Sequence, residues 1–334
     1  MSRQLRAQNP FLTMEQDCEG DTHDIPNIVF VKPHKVGSST MAAVVRRIAA
    51  RNGGQPEEVL RQVGTADFFA KSRNQPVGEG LHIWSNHETC EELMRDTDAD
   101  VVDAAFKFTL TRNPVDRCLS SYYYTQKLPR PVGAALLNDK LAHHCRPMAS
   151  YIKPKHSSSV QETVGFYDFI GVTERYVESV AALKMILGLS FGDVLYLASK
   201  QADGHHSLFG SGAGSGLETD VLARPPLDEE PPKVIQHFKN LKGMDEDVEL
   251  WELANTRLDE WIERLQPGFS LVNATLHAAI AYTAEQCDMD FVEIRTKCYV
   301  ADIGCNYECL DGISAEFGLN ARTKRHGLGL DYML

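Results

Sequence analysis

The sequence predicts an α/β fold, with a mainly parallel central sheet and helices on both of its faces. Between residues 28 and 198, short apolar segments rich in β-branched and aromatic residues alternate with longer segments of helical period. Two of the apolar segments run into a polar loop and then directly into a helix. A strand followed by a helix is the repeating unit of parallel sheets, so both observations favour the same fold class.

The first strand–helix unit begins with the apolar segment 28–31, which is expected to be a strand. A polar loop follows, and the helix after it presents an apolar face formed by Met41, Val44, Val45 and Ile48. Asn52, Gly53 and Gly54 are expected to end this helix. A further helix is predicted over residues 55–69, and a short strand over residues 81–84.

The second unit begins with a strand over residues 105–111, which alternates in polarity and is rich in β-formers. Asn113 is placed to cap the next helix and Pro114 to begin it, and the helix is expected to end near Lys127. Later in the chain, strands are predicted over residues 168–172 and 194–198, with a helix over residues 174–187 between them.

The remaining sequence is predicted to contain a flexible insertion rich in Gly, Ser and Pro, followed by two long helices. The insertion covers about residues 200–232, and the helices cover residues 245–265 and 270–287. In domain terms, residues 1–26 are expected to form a flexible lead, residues 27–310 one large domain and residues 311–334 a C-terminal tail.

Composition excludes some functions. The net charge of −12 argues against general nucleic-acid binding, although basic residues near positions 32–35 and 112–117 can form a local basic pocket. The sequence has no apolar run of about 18 residues, so no transmembrane helix is predicted. Its first 25 residues lack the apolar segment of a signal peptide. We therefore expect a soluble chain, or the catalytic part of a protein with its anchor elsewhere.

The loop after the first strand is the most informative segment, and residues 29–40 read Val-Phe-Val-Lys-Pro-His-Lys-Val-Gly-Ser-Ser-Thr. A strand, a tight loop and a helix direct several backbone N–H groups and a positive helix end at one point, which favours a phosphate. Lys35 adds a charge, and Ser38, Ser39 and Thr40 add hydroxyl donors. The alternative is an ordinary strand-to-helix turn capped by Ser38 or Ser39.

This loop differs from the nucleoside triphosphate motif G-x-x-x-x-G-K-[ST], in which the lysine follows the second glycine. Here Lys35 precedes Gly37, so no hydroxyl has the usual spacing for holding Mg²⁺. The loop therefore predicts phosphate recognition without a required metal.

A second anion-binding segment is predicted where the strand over residues 105–111 ends. Arg112 can direct two donors at a phosphate, and Ser120 follows two turns into the next helix. Tyr122, Tyr123 and Tyr124 supply aromatic surface, most of it expected in the core, and Arg117 is expected to form a salt bridge on the helix surface. Two separated phosphate sites fit a nucleotide phosphorylated at its 3′ and 5′ positions.

Four of the eight cysteines, Cys287, Cys298, Cys305 and Cys309, lie within 23 positions. Their spacing is poor for zinc, so one or two local disulfides are favoured, with four unrelated thiols as the alternative. Disulfides would imply an oxidising lumen, and the sequon at Asn273 is compatible with one.

Both anion-binding segments resemble those of carbohydrate sulfotransferases. Residues 32–40 resemble their 5′-phosphosulfate loop, and residues 112–124 resemble their 3′-phosphate segment. Residues 83–87, 169–179 and 193–197 are similar to stretches of the galactose 3-O-sulfotransferases, which include galactosylceramide sulfotransferase. The resemblance covers about residues 27–310 and implies a P-loop-like sulfotransferase fold.

The resemblance implies 3′-phosphoadenosine 5′-phosphosulfate as donor, with no metal required. Its 5′ end would be held by Lys35, Gly37, Ser38, Ser39 and Thr40, and its 3′-phosphate by Arg112 and Ser120. The implied acceptor is a carbohydrate hydroxyl, the 3-OH of galactose in a glycolipid or glycan. The implied compartment is the Golgi, whereas the absence of a predicted anchor favours a soluble cytoplasmic chain.

Catalysis is assigned to two residues. Lys35 would stabilise the negative charge that develops on the leaving group. His87, which follows a predicted strand and matches the histidine of the family's pattern, would act as general base. His82 is the second candidate base, and Glu88 could orient His87. The alternative for His87 is a loop histidine bonded to nearby backbone.

Three other functions remain open at this stage. They are O-sulfation of a polysaccharide or small metabolite, a kinase-like phosphotransfer, and an inactive nucleotide-binding scaffold.

Overall fold

A computed structural model describes residues 25–53, 81, 83–86, 89–96, 99–125, 132–198, 226–287, 304 and 306–322. Its centre is a parallel sheet with the strand order β2-β1-β3-β4. The strands are β1 (Ile28–Val31), β2 (Ile83–Asn86), β3 (Phe106–Thr111) and β4 (Phe169–Val172).

Helices connect and follow these strands. As far as β4 they are α1 (Ser38–Arg51), α2 (Cys90–Asp96), α3 (Ala99–Ala104), α4 (Pro114–Thr125), α5 (Ala149–Ile152) and α6 (Val160–Phe166). After β4 they are α7 (Tyr176–Leu187), α8 (Phe191–Val194), α9 (Pro232–Lys239), α10 (Met244–Arg264), α11 (Gly268–Gln286) and α12 (Tyr307–Glu316). Short 3-10 turns cover Gly133–Asn138, Lys140–His143, Thr173–Arg175 and Leu227–Glu229.

The strand order reverses direction at β1. The chain leaves β1 for β2 on one side and returns across β1 to β3 on the other. Because parallel crossovers are right-handed, this reversal places helices on both faces of the sheet, as the sequence predicted. It also makes the gap between β1 and β3 the switch point, where open α/β sheets bind their ligands at the carboxyl ends of the strands.

The strand register brings the functional loops to one edge of the sheet. Val31, the last residue of β1, pairs with Asn86 of β2 and Thr109 of β3. Thr111 at the end of β3 pairs with Val172 at the end of β4. The segments that follow all four strands therefore leave from the same edge.

The core explains why the strands are apolar throughout their length. All residues of β1 and β4 are buried, and the rings of Phe30 and Phe108 stack across neighbouring strands with centroids 4.6 Å apart. A second, smaller core lies beside α4, where Leu119, Tyr122 and Tyr123 pack with Val234 and Phe238 of α9.

Most of the predicted elements among the described residues are confirmed. The strand over residues 28–31, the helix after Gly37, the strand ending at Thr111 and the helix beginning at Pro114 are all present. The strand predicted over residues 81–84 begins two residues later, and the predicted helix over residues 174–187 begins with a 3-10 turn. Both long C-terminal helices are confirmed within two residues at their ends.

The strand predicted over residues 194–198 is wrong. Ser190 and Asp193 form a capping box, in which each side chain accepts a hydrogen bond from the other residue's backbone N–H. This local pair nucleates α8, which ends at Val194, and the following residues join no strand of the described sheet.

Some predictions fall outside the described residues. These are residues 1–24 of the flexible lead, the helix over residues 55–69 and residues 199–225 of the insertion. Within the described part, α12 crosses the predicted boundary at residue 310. Buried Arg47 donates to Gly192 O at 2.7 Å and to Asp311 at 2.6 Å, so α12 is joined to α1 and α8.

Gly171 allows close packing in the centre of the sheet. A Cβ atom there would lie 2.6 Å from Leu110 Cδ2 and 3.0 Å from Ser179 Cβ. We expect Gly171→Ala to lower the free energy of unfolding by about 1–3 kcal/mol through overpacking.

The matched control is Gly165→Ala in α6, where nothing lies within 4 Å of the added Cβ. Alanine there should be neutral or stabilising, since it favours the helix. Denaturant unfolding of both variants measures the difference, and equal stabilities would contradict the packing argument.

Candidate functional site

The loop between β1 and α1 has an unusual backbone path. Lys35 and Gly37 both have positive φ angles, 67° and 71°. A left-handed lysine is uncommon and is maintained only where its surroundings fix it, which occurs most often at functional sites. Gly37 is the N-cap of α1 and gives it no side-chain cap, so the alternative of a turn capped by Ser38 or Ser39 is wrong.

The N-terminus of α1 therefore opens onto this loop. The helix has 14 residues and carries no acidic side chain in its first turn. Its first backbone N–H groups and its positive end face the loop without a neighbouring carboxylate of that turn. This arrangement suits an anion.

Residues at the ends of β3 and β4 hold the loop in place. Arg112 Nη1 donates to the carbonyl oxygen of Lys35 at 3.0 Å. The Thr173 hydroxyl lies 2.8 Å from the carbonyl oxygen of Val36 and 2.7 Å from that of Thr111, and it can donate to either. The loop is thus bonded to two neighbouring strand ends.

Arg112 is itself oriented by Asp116, one turn along α4. The Arg112 Nε and Nη2 groups both donate to one Asp116 carboxylate oxygen. Asn113 caps α4, as predicted, because its side chain accepts a hydrogen bond from Asp116 N at 3.1 Å. The guanidinium plane therefore lies between the start of α4 and the loop.

The face of α4 nearest the loop carries Asp116, Ser120 and Tyr124 at intervals of four residues. Ser120 is half-buried. The ammonium of Lys35 lies over the ring of Tyr124, 3.7 Å from its centroid. Tyr122 and Tyr123 are buried in the second core, as expected.

His87, His82 and Glu88 lie outside the described residues. The described strand β2 ends at Asn86, which pairs with Val31 immediately before the loop. In sequence, His87 is the next residue after that strand end.

Comparison with known families identifies the family to which the chain belongs. A family model described as the sulfotransferase family matches residues 21–190, about half of the chain. The chain belongs to the sulfotransferase family. The matched range contains the loop after β1, the segment from Arg112 to Ser120, and β4. No curated protein matches this sulfotransferase at a significant level.

Family membership accounts for the fold and for the class of reaction. The parallel sheet, with helices around it, is consistent with the predicted P-loop-like sulfotransferase fold. The family transfers sulfuryl groups, and it implies 3′-phosphoadenosine 5′-phosphosulfate as co-substrate. Among the residues that the structure describes, no group of three or more His, Cys, Asp or Glu side chains could hold a metal ion.

Several positively charged side chains lie near the loop of this sulfotransferase, although the net charge of the whole chain is negative. His34 packs edge-on against Tyr151 at 5.3 Å, and Arg146 lies 4.3 Å from the same ring. Desolvation lowers the pKa of His34, and the nearby charges of Lys32, Lys35, Arg117 and Arg146 lower this pKa further. Positive charge is thus concentrated near this loop, in the region where the sequence suggested a basic pocket.

Arg117 forms the predicted salt bridge, but the expected surface location is wrong, because its side chain points into the protein. Arg117 is 2% exposed and forms an ion pair with buried Asp247 of α10, at 3.3 Å. Asp247 also accepts from the backbone N–H groups of Met148 and Ala149, at 2.7 and 2.8 Å. Burial raises the pKa of Asp247, while these three donors act in the opposite direction.

Two disulfides are present among the described residues. Cys287 and Cys309 are joined, with an S–S distance of 2.07 Å, so a local disulfide in the C-terminal cysteine group is confirmed. Cys298 and Cys305 lie outside the described residues. The second disulfide, Cys118 to Cys145 at 2.00 Å, was missed, because only the fold brings α4 next to the segment before α5.

Sequence reasoning also missed two site features. The first is the orientation of Arg112 by Asp116, for which the i, i+4 spacing of opposite charges was an available signal. The second is the Tyr124–Lys35 contact, for which the sequence carries no signal. Within the described part of the chain, no helix combines the length and the apolar character needed to cross a membrane.

Proposed function

We propose that this sulfotransferase moves a sulfuryl group from 3′-phosphoadenosine 5′-phosphosulfate to a sugar hydroxyl, the 3-OH of galactose in a glycolipid or glycan. The observation that carries the donor assignment is the Arg112–Lys35 hydrogen bond, which joins two anion-binding segments at the β1/β3 switch point. The acceptor assignment rests on the sequence resemblance to the galactose 3-O-sulfotransferases.

The loop after β1 suits the 5′ end of the donor. The positive φ angles of Lys35 and Gly37 turn the backbone around one point, and Ser38, Ser39 and Thr40 begin the helix that faces it. A Cβ at Gly37 would come within 3.0 Å of the Tyr176 ring, so this approach needs glycine. In the proposal, these five residues bind the 5′-phosphosulfate.

Arg112 and Ser120 suit the 3′-phosphate. Arg112 has five N–H donors in a fixed plane, and this guanidinium donates to Asp116 and to the Lys35 carbonyl. The Asp116 pair fixes the plane in advance, which reduces the entropy lost on binding. Ser120, one turn beyond Asp116 on the same helix face, can add a hydroxyl donor.

The bound donor would supply a sulfuryl group whose transfer leaves negative charge on a phosphate oxygen. Lys35 would stabilise that charge as a nearby ammonium. His87 would take the proton of the acceptor hydroxyl. The assignment of His87 is supported by the register of β2. That register places Asn86, the residue before His87, beside the start of the loop.

We also propose a Golgi-lumen location. Two disulfides support it, because disulfides persist in oxidising compartments and are rare in the cytosol.

The direct test is an acceptor panel with radiolabelled sulfate donor. It should contain galactosylceramide, galactose-terminated glycans, an acidic polysaccharide and a phenolic metabolite, with Lys35→Ala as the blank. We expect label on galactose, at the 3-position after linkage analysis, and none with Lys35→Ala. Label on the polysaccharide or metabolite alone would contradict the acceptor, and no label on any compound would contradict transferase activity.

His87→Ala should lower turnover by about 10²–10⁴-fold, the usual contribution of a positioned base. Donor binding should remain, since His87 is assigned no donor contact, and calorimetric titration with adenosine 3′,5′-bisphosphate measures it. The matched control is His82→Ala, which should keep most of its turnover. Near-normal turnover of His87→Ala would show that His87 is not the base.

A further inference from the structure

We propose that Tyr124 is a positioning residue that holds the Lys35 ammonium at the carboxyl ends of β1 and β3. This inference rests on the proposed function, because it concerns the lysine assigned there to the leaving group. Neither the sequence motif nor family membership assigns this role to Tyr124.

The contact has the geometry of a cation–π interaction. Lys35 Nζ lies 3.7 Å from the Tyr124 ring centroid, well inside the range of about 6 Å over which a ring face attracts an ammonium. Both residues are half-buried. Partial removal of water strengthens the attraction compared with an exposed pair.

Lys35 is held at both of its ends. Its carbonyl oxygen accepts from Arg112, two residues before the start of α4, and its ammonium lies on Tyr124 in the last turn of α4. Its φ of 67° sets the direction in which the side chain leaves the loop. Backbone and side chain are therefore both fixed relative to the same helix.

Fixing this side chain has a chemical consequence. A lysine has four rotatable carbon bonds and carries about 2 kcal/mol of rotamer entropy. An ammonium that is already in place stabilises developing charge without that cost. The neighbouring Tyr122 and Tyr123 cannot serve, because their rings are buried in the second core.

The competing explanation is simple packing of the ring on the lysine stem. Two variants distinguish the alternatives. Tyr124→Phe keeps the ring face and removes the hydroxyl, whereas Tyr124→Leu keeps apolar volume and removes the ring face. If Tyr124 positions Lys35, Tyr124→Phe should keep the Lys35 ammonium in place and Tyr124→Leu should not.

The first measurement needs neither donor nor turnover. Reductive methylation with ¹³C-formaldehyde labels lysines and keeps their charge, and Lys35→Arg identifies the Lys35 signal. In the wild type and in Tyr124→Phe, ring current should shift the Lys35 methyl signal upfield. In Tyr124→Leu the signal should move to the position of exposed lysines, and an unchanged signal would overturn the proposal.

The second measurement is steady-state sulfate transfer. Tyr124→Leu should lower kcat/KM for the donor by about two- to thirtyfold, the range that corresponds to a cation–π contact, while Tyr124→Phe stays near the wild type. A Tyr124→Phe variant as weak as Tyr124→Leu, or a Tyr124→Leu variant as active as the wild type, would overturn the positioning role.

Tyr282→Leu serves as the matched control, because Tyr282 is also half-buried and packs on another ring, that of Phe317 at 5.0 Å. It should leave donor kinetics unchanged. If the wild type itself transfers no sulfate, the proposed function fails, whereas the methyl signal still decides the Tyr124–Lys35 contact.

Discussion

The hydrogen bond from Arg112 to the Lys35 carbonyl is the contact on which the candidate site depends. It joins a loop after β1 to the segment after β3, across the point where the strand order reverses. Each segment alone is a loop between one strand and one helix. Bonded to each other, they form the site that we propose to bind the two separated phosphates of the donor. The reversal at β1 is the reason that these two segments, about 75 residues apart in sequence, are neighbours.

Helix α4 connects this hydrogen-bonded loop to the rest of the protein. On one face it carries Asp116, Ser120 and Tyr124, which lie toward the loop. Its other contacts fix its position, since Arg117 pairs with Asp247 of α10 and Cys118 is bonded to Cys145. A buried ion pair gives little net stability, but breaking it leaves an uncompensated charge. The two contacts together restrict where α4 can lie, and with it the residues that orient Lys35.

The parts of the fold that were predicted correctly have local signals. Gly37 and the Asn113–Pro114 pair mark helix starts within a few residues of the strands before them. The strand predicted over residues 194–198 failed because the helix that begins at the Ser190–Asp193 capping box includes Val194, and the residues after it pair with no strand of the described sheet.

The missed features of the site depend on tertiary structure. Burial of Arg117 requires Asp247, 130 positions later, and the Cys118–Cys145 bond requires the packing of α4 beside the segment before α5. Which of the three consecutive tyrosines contacts Lys35 depends on how α4 is rotated about its axis. Sequence reasoning could place these residues on a helix, but it could not identify their partners.

The central claim is that one site binds both the 3′- and the 5′-phosphate of the nucleotide. Calorimetric titration with adenosine 3′,5′-bisphosphate and with adenosine 5′-monophosphate tests it most directly, on the wild type and on Arg112→Met. Arg175→Met is the control, since Arg175 follows β4 and pairs with Glu178 in a similar way. We expect the wild type and the control to prefer the bisphosphate by about ten- to hundredfold, as one charge-assisted contact allows, and Arg112→Met to lose that preference. A full preference retained by Arg112→Met would contradict the account.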